Sequence, residues 1–408
     1  VAAASRGRGA AAPLRQAQRV AHARFELEEL VQGRRVENER GEFFLVETDL
    51  HLESFHGSVP LTRFRALDPD SVAVLSGEPE LAGFALGAAA FLDTETTGVA
   101  GGAGTAAFLI GLGWVDGDRF RVRQYFMRDY HEEAALLRAL ARQLARFPAL
   151  VTFNGKTFDL PLLESRYRLN REAFPLEGAA HLDLLQPARR LWKARLESCR
   201  LQALERELLG FVRRADVPGE EIPRVYFDYL RSRNARALAR VFEHNRLDIV
   251  SLAALAIHAC QWLDEGRAEE PQDMLSLARV FERASRYERS ELEYRRALSS
   301  QAPEARVPAL VGLAARAKRC GDREAAAALW ERAAREGDDL ALRELAMHWE
   351  HRRRDYSAAL ELVEEALERF GGQDSPRSRR FVTDFARRRD RLRRKLSWSA
   401  PSPNVRRG

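Results

Sequence analysis

Phe91-Leu-Asp-Thr-Glu95-Thr-Thr-Gly98 is the stretch on which the reading of this chain turns. Asp93 and Glu95 stand two residues apart, and because side chains alternate along a strand both carboxylates leave the same face. Phe91 and Leu92 anchor that strand in apolar surroundings, so the two acids sit at the margin of a core. Carboxylates so placed repel each other. A pair of this kind is stable mainly when a hard cation neutralises it, and oxygen-only ligands select Mg²⁺ or Mn²⁺. Thr94, Thr96, Thr97 and Gly98 make a tight exit from strand to loop, where Thr96 and its neighbours can approach a substrate base or sugar. A bare Asp-x-Glu is common among solvated acids, so its surroundings decide its meaning.

Working outward, the glycine-rich Gly98-Val-Ala-Gly-Gly-Ala-Gly104 leads to an apolar run, Ala106 to Val115, and to the alternating Arg119-Phe-Arg-Val-Arg-Gln-Tyr-Phe126. The Asp116-Gly117 turn makes these two a hairpin. A helical pattern follows over His131 to Arg146, then a strand at Ala149 to Phe153, a helix from Phe158 to Leu169, and a short strand at His181 to Leu185. Three antiparallel strands leading into β-α-β units is the element order of an RNase H-like sheet, expected to be mixed, five-stranded and flanked by helices.

Two further motifs lie on this frame. Asn154-Gly-Lys-Thr-Phe158-Asp159 puts an acid at the start of a helix directly after a buried strand, a position where an ordinary N-cap aspartate is also at home. His244-Asn-Arg-Leu-Asp248 puts a histidine and an aspartate one helical turn apart on one face, where a surface ion pair is the plain alternative. Each motif alone is weak; their order and their placement on strand, helix start and late helix give them force. Lys156 is a candidate phosphate contact, and Phe158 a candidate partner for a terminal base. Arg189, Arg190, Lys193, Arg195 and Arg200 form either a basic wall for a nucleic-acid backbone or a solvated face, and Asp183 reads as structural.

In these motifs the chain resembles the DEDD superfamily of 3′-to-5′ exonucleases, whose first motif is Asp-x-Glu on a strand, whose second is Asn-x₃-(Phe/Tyr)-Asp, and whose third is Tyr-x₃-Asp or His-x₄-Asp. Asp93 and Glu95 match the first, Asn154, Phe158 and Asp159 the second, and Asp248 the third. His244 departs from both classes, with the tyrosine spacing and the histidine side chain. The longer string from Cys199 through Val217-Pro-Gly-Glu-Glu-Ile-Pro223 and Tyr226-Phe-Asp-Tyr-Leu230 to Asn245 is similar to bacterial YprB-like RNase H-like proteins. The resemblance implies two-metal chemistry, with Asp93 bridging two Mg²⁺ or Mn²⁺ ions about 3.5–4 Å apart and Glu95, Asp159 and Asp248 completing the metal cage. It also implies a role for His244, whose ordinary pKa of about 6.5 suits it to position or deprotonate the attacking water.

Beyond Pro271 the character of the chain changes. Helix pairs recur with Ala278, Tyr294 and Ala297, then Ala314, Trp330 and Ala333, then Ala346, Val363 and Ala366. The last alanines of these sets are spaced 36 and 33 residues apart, close to the tetratricopeptide period of about 34. An all-α tetratricopeptide-like repeat domain is expected, with a generic helical bundle as the alternative. The organisation read from the sequence is therefore a flexible arm at 1–24, a small β-containing lead-in at 25–90, an RNase H-like exonuclease domain at 91–265, repeats at 271–370 and a basic tail at 371–408.

Composition narrows the class. The chain has 408 residues, 45% hydrophobic and 31% charged, as a globular protein of two domains plus tails would have. No continuous apolar run reaches the roughly 18 residues a bilayer demands, so no membrane is expected. Three scattered cysteines, without Cys-x-x-Cys or Cys/His spacing, argue against a disulfide framework or a zinc site and for the reducing cytoplasm. The net charge of +6 is misleading, because Arg377 to Lys395 alone carries ten cations against Asp384 and Asp390. The body of the chain is near neutral, and bulk charge says little about its partner. The expected function is a metal-dependent exonuclease acting on single-stranded DNA or RNA ends, with the repeats docking a partner protein or duplex. A non-catalytic nucleic-acid-binding scaffold and a structure-specific endonuclease are the alternatives.

Overall fold

The computed structural model describes residues 25–98, 104–266, 268–300, 302–371 and 376–399. The expected N-terminal arm, most of the glycine-rich loop after Gly98 and the ends of the basic tail lie outside the described residues. The chain divides into two compact units, Val1–Gly266 and Arg267–Gly408.

The first unit is built on β6 (Ala107–Asp116), in which eight successive residues from Ala107 to Trp114 are buried. A strand buried on both faces reads as an unbroken apolar run, so alternation is absent here. β5 (Ala90–Thr96) lies antiparallel on one side of it, with Asp93 opposite Gly111, and β7 (Arg119–Phe126) lies antiparallel on the other. β8 (Ala149–Thr152) and β9 (Ala180–Asp183) continue the sheet in parallel from β5. The lead-in corrects the expected strand number. β1 (Gly33–Asn38) and β2 (Gly41–His51) join the same sheet through β2 and β7, giving seven strands in the order β1-β2-β7-β6-β5-β8-β9. The reason lies in Phe43-Phe-Leu-Val46, four consecutive buried residues that need cover on both faces and find it inside the sheet. A separate two-stranded ribbon, β3 (Phe55–His56) with β4 (Val59–Pro60), follows β2.

Side-chain alternation assigns the faces. On one, Leu92, Ile110, Leu112 and Trp114 pack with α1 (Glu133–Leu144) and α2 (Asp159–Leu169), through Leu136, Leu137, Leu140, Leu163 and Tyr167. On the other, Phe91, Phe120 and Phe64 form an aromatic cluster with ring centroids 5.7–6.1 Å apart. This second face also receives α3 (Leu238–Glu265). Gly111 and Gly113 allow the approach: a Cβ on Gly111 would lie 2.4 Å from Asn245 Oδ1, and one on Gly113 would lie 2.4 Å from Ile249 Cγ2. The Gly-Leu-Gly of β6 thus lets α3 settle almost onto the sheet backbone, over Asp93 and Glu95. Among the described residues α3 is the one helix long and apolar enough to cross a bilayer, but 78% of its apolar window is buried within the protein. It is a core helix.

Among the described residues the regular elements of the second unit are all helical: α4 (Pro271–Arg283), α5 (Tyr287–Ser299), α6 (Pro303–Arg319), α7 (Arg323–Arg335), α8 (Asp339–His348), α9 (Tyr356–Phe370) and α10 (Pro376–Ser399). Three consecutive starts use the same device. Asp322, Asp338 and Asp355 each accept a hydrogen bond from the backbone N–H three residues on, at 2.7–3.0 Å, which satisfies a donor that a helix leaves orphaned. All nine recurring positions from Ala278 to Ala366 are at most 4% exposed. The Tyr294 ring occupies the space a Cβ on Gly312 would need, so neighbouring pairs interlock.

Candidate active site

β5 delivers two carboxylates to the face under α3, and α3 answers with His244, Asn245 and Asp248. Asn245 is fully buried and its Nδ2 donates to Asp93 Oδ2 at 2.9 Å. Gln124 on β7 donates to Asn245 Oδ1 at 3.0 Å and to the Phe242 carbonyl at 2.7 Å. A buried amide relay therefore fixes which way Asp93 points. Asp159, at the first turn of α2, accepts from Thr94 Oγ1 at 2.5 Å.

His244 lies at the centre of the polar set. Its Nε2 is 3.2 Å from Asp248 Oδ2 and 3.8 Å from Glu95 Oε1, and its Nδ1 is 2.7 Å from Asp216 Oδ1. The i, i+4 spacing read from the sequence is what stacks His244 on Asp248. The other Asp248 oxygen accepts from Arg213, a buried guanidinium that also pairs with Glu205 at 2.5 and 2.8 Å and with Asp216 at 3.3 Å.

Compensation is uneven across this cluster. Burial and the neighbouring charges of Asp248, Glu95 and Asp159 hold Asp93 well above the usual carboxylate range. Burial pushes Glu95 up to about 8 although His244 opposes it, and burial lifts Asp159 to about 6 against the hydrogen bond from Thr94. Asp248 goes the other way. Its burial is outweighed by His244 and Arg213, which hold it below its ordinary value. His244, which burial alone would lower, is held at about 10 by Asp248, Glu95 and Asp216. Positive charge is thus concentrated on the Asp248 side, and the β5 carboxylates are short of it. Glu95, His244 and Asp248 offer ligand atoms within 4.8 Å of one another, an arrangement able to hold a metal ion.

The structure brings Asp93, Glu95, Asp159, His244 and Asp248 together, while the expected substrate contacts are held in other ways. Thr96 donates its hydroxyl to the Gly98 carbonyl at 2.9 Å. Asn154 takes a positive φ of 68°, donates its N–H to Asp183 at 2.8 Å and accepts from Thr157 Oγ1. Asp183 also accepts from the N–H groups of Lys156 and Leu185, both at 3.0 Å, and so pins the loop that carries Asp159. Lys156 pairs with Glu78 at 2.7 Å, and Phe158 is 54% exposed beside Asp159. In the basic segment, Arg190 donates to the Ser76 carbonyl, while Arg189, Lys193 and Arg200 are exposed.

Sequence reasoning missed Gln124, Asn245, Glu205, Arg213 and Asp216. Asn245 had a signal: it lies inside the His244–Asp248 motif, and a glycine stands where it meets β6. Arg213 and Asp216 lie in an irregular loop whose charges resemble any solvated turn, so no periodicity marks them.

Residues 90–260, which contain every side chain of this cluster, match the model of the RNase H superfamily, so this part of the chain is an RNase H-like domain. A domain of this kind suggests a nuclease whose substrate is nucleic acid. The chain is also 34% identical over 284 residues, 68% of each protein, to the uncharacterized protein YprB of Bacillus subtilis (strain 168), and it belongs to the same family as that relative.

Proposed function

We propose that the chain is a divalent-cation-dependent 3′-to-5′ exonuclease of the DEDD type, hydrolysing phosphodiester bonds of single-stranded DNA or RNA. One observation carries this: Glu95 of β5 and Asp248 of α3 offer ligand atoms within 4.8 Å of one another beside His244, with Asp93 tied to Asn245 on the same stretch of α3 and Asp159 of α2 tied to Thr94 on β5. The donor set suits hard dications. It is rich in carboxylate oxygen, and Asp93 and Glu95 lack compensating charge, so these four residues would hold Mg²⁺ or Mn²⁺, two ions by the motif pattern. Bound there, such ions supply charge stabilisation at the phosphoryl group and a water of lowered pKa.

The chain's own side chains do the rest. The Gln124–Asn245 relay orients Asp93, and Thr94 orients Asp159. Asp216 engages His244 Nδ1, which leaves Nε2 turned toward Glu95 and Asp248. From there Nε2 can accept a proton of the attacking water, once the proton those carboxylates hold on it has left. Phe158 offers an exposed ring for a terminal base, Thr96 and Asn154 border the approach, and Lys156 reaches a phosphate by exchanging Glu78 for it.

Purified protein given 3′- and 5′-labelled single strands should ladder from the 3′ end with Mn²⁺ or Mg²⁺ and be inert in EDTA. Undiminished cleavage by Asp93→Ala would refute the site. One observation favours a second reading, a non-catalytic nucleic-acid scaffold: Arg213 and His244 already neutralise Asp248 from within the chain. Tight binding without cleavage in every metal would select it.

The linkage to pH has a definite sign. Between about 4.5 and about 8 the folded chain keeps a proton on Glu95 that the unfolded chain has lost, so stability without cations falls as pH rises across that window. His244, held at about 10, adds a contribution that is complete below about 6.5 and lost as pH rises through 10. A cation must displace the Glu95 proton, so its affinity should rise with pH up to about 8. Calorimetric Mn²⁺ titrations in buffers of different ionisation enthalpy should register proton release at pH 7; pH-independent binding without release would contradict the assignment.

The helices of 271–370 belong to the same proposal as tetratricopeptide-like repeats docking a protein partner. Support comes from the three buried small–aromatic–small or small–aliphatic–small sets at matching positions. Three free thiols at Cys199, Cys260 and Cys320 accord with a reducing, cytoplasmic setting.

A further inference from the structure

Helix α10 is the basic segment whose charge exceeds that of the whole chain, and at least half of its ten cations are spent internally. Phe385 and Leu392 are fully buried in the core of the second unit. Beside them Glu350, 1% exposed, accepts from Arg388 at 2.7 Å, Arg391 at 2.8 Å and Lys395 at 2.9 Å. Arg393 pairs with Glu364 at 2.7 Å, Arg389 with Asp390 at 3.3 Å, and Asp384 with Arg343 at 3.2 Å. A buried carboxylate with three cationic donors fastens the helix to the rest of its unit, so α10 is a built element with a defined outward side.

What remains outside is ordered. The side chains of Arg380, Arg387 and Arg394 are exposed and make no ion pair or hydrogen bond among the described residues. They are seven residues apart, which on an α-helix drifts only about 20° per step and spreads the row over about 21 Å. Trp398, one turn beyond Arg394, is 84% exposed. Unpaired guanidinium groups in a line suit a polyanion, and an exposed indole at the end of that line suits an unpaired base, which duplex would not offer.

We infer that the Arg380–Arg387–Arg394 row with Trp398 is a second nucleic-acid contact, a backbone-tracking site for single strands separate from the carboxylate cluster. It rests on the proposed function only for the substrate class. Each guanidinium meets a phosphate and displaces counterions, and Trp398 stacks on a base irrespective of sequence. The row holds substrate without cutting it.

The test uses the full chain carrying Asp93→Asn, in EDTA, with fluorescent single-stranded DNA and RNA followed by anisotropy as salt rises. Arg380→Gln/Arg387→Gln/Arg394→Gln should weaken binding and reduce the log–log salt slope by about two, the share of three single-strand phosphate contacts. The corresponding triple lysine variant should keep the slope. Trp398→Ala should weaken binding about tenfold with the slope unchanged. An unaltered affinity and slope in the glutamine variant, or an equal loss in the lysine variant, would overturn the inference. Binding is read without cleavage, so an inactive carboxylate cluster would leave this result standing and a failed row would leave the cluster's assignment standing.

Discussion

Asp93→Asn is expected to lower cleavage by about three orders of magnitude while making the cation-free protein more stable. Both effects have one cause. Asp93 is buried among Asp248, Glu95 and Asp159, and its folded-state pKa is raised, so its ionised form opposes folding. Asparagine keeps the shape and can still accept from Asn245, but carries no charge. Thermal unfolding in EDTA and initial cleavage rates in Mn²⁺ measure the two halves. A variant less stable than wild type in EDTA would show that the strain ascribed to the carboxylates is absent.

Arg213→Met should have the opposite character, costing about 3–5 kcal/mol because it strands buried carboxylates without their counter-ion. Glu205, 1% exposed, loses its guanidinium partner, and Asp248 keeps only His244. Urea unfolding in EDTA reads the loss, and Mn²⁺ should restore more stability to this variant than to wild type, since a cation can take over at Asp248. A loss below about 1 kcal/mol, the range of an exposed pair, would contradict the buried ion cluster.

The contrast between Asp93 and Arg213 marks how far the sequence could be read. Asp93, Glu95, Asp159, His244 and Asp248 lie on regular elements, where strand alternation and the helical turn dictate which side chains share a face. The strands from Phe91 onward were legible for the same reason. The lead-in reads as β-containing, but a strand's neighbour in a sheet is a non-local fact, and pairing of β2 with β7 spans about seventy to eighty residues of chain that no local pattern encodes. The relay through Gln124 and the Arg213–Asp216 loop depend on the same long-range closure. In the basic tail, composition gave the excess charge, whereas only the structure separates the cations spent on Glu350 from the row left outside.

Divalent-cation binding by the four carboxylates is read by titrating Mn²⁺ into the intact protein by calorimetry, wild type beside Asp93→Asn. Saturable binding that raises the unfolding temperature of wild type, and is lost or weakened about a hundredfold in the variant, is the predicted result. Equal binding by both proteins, or none by wild type at millimolar Mn²⁺, would contradict it.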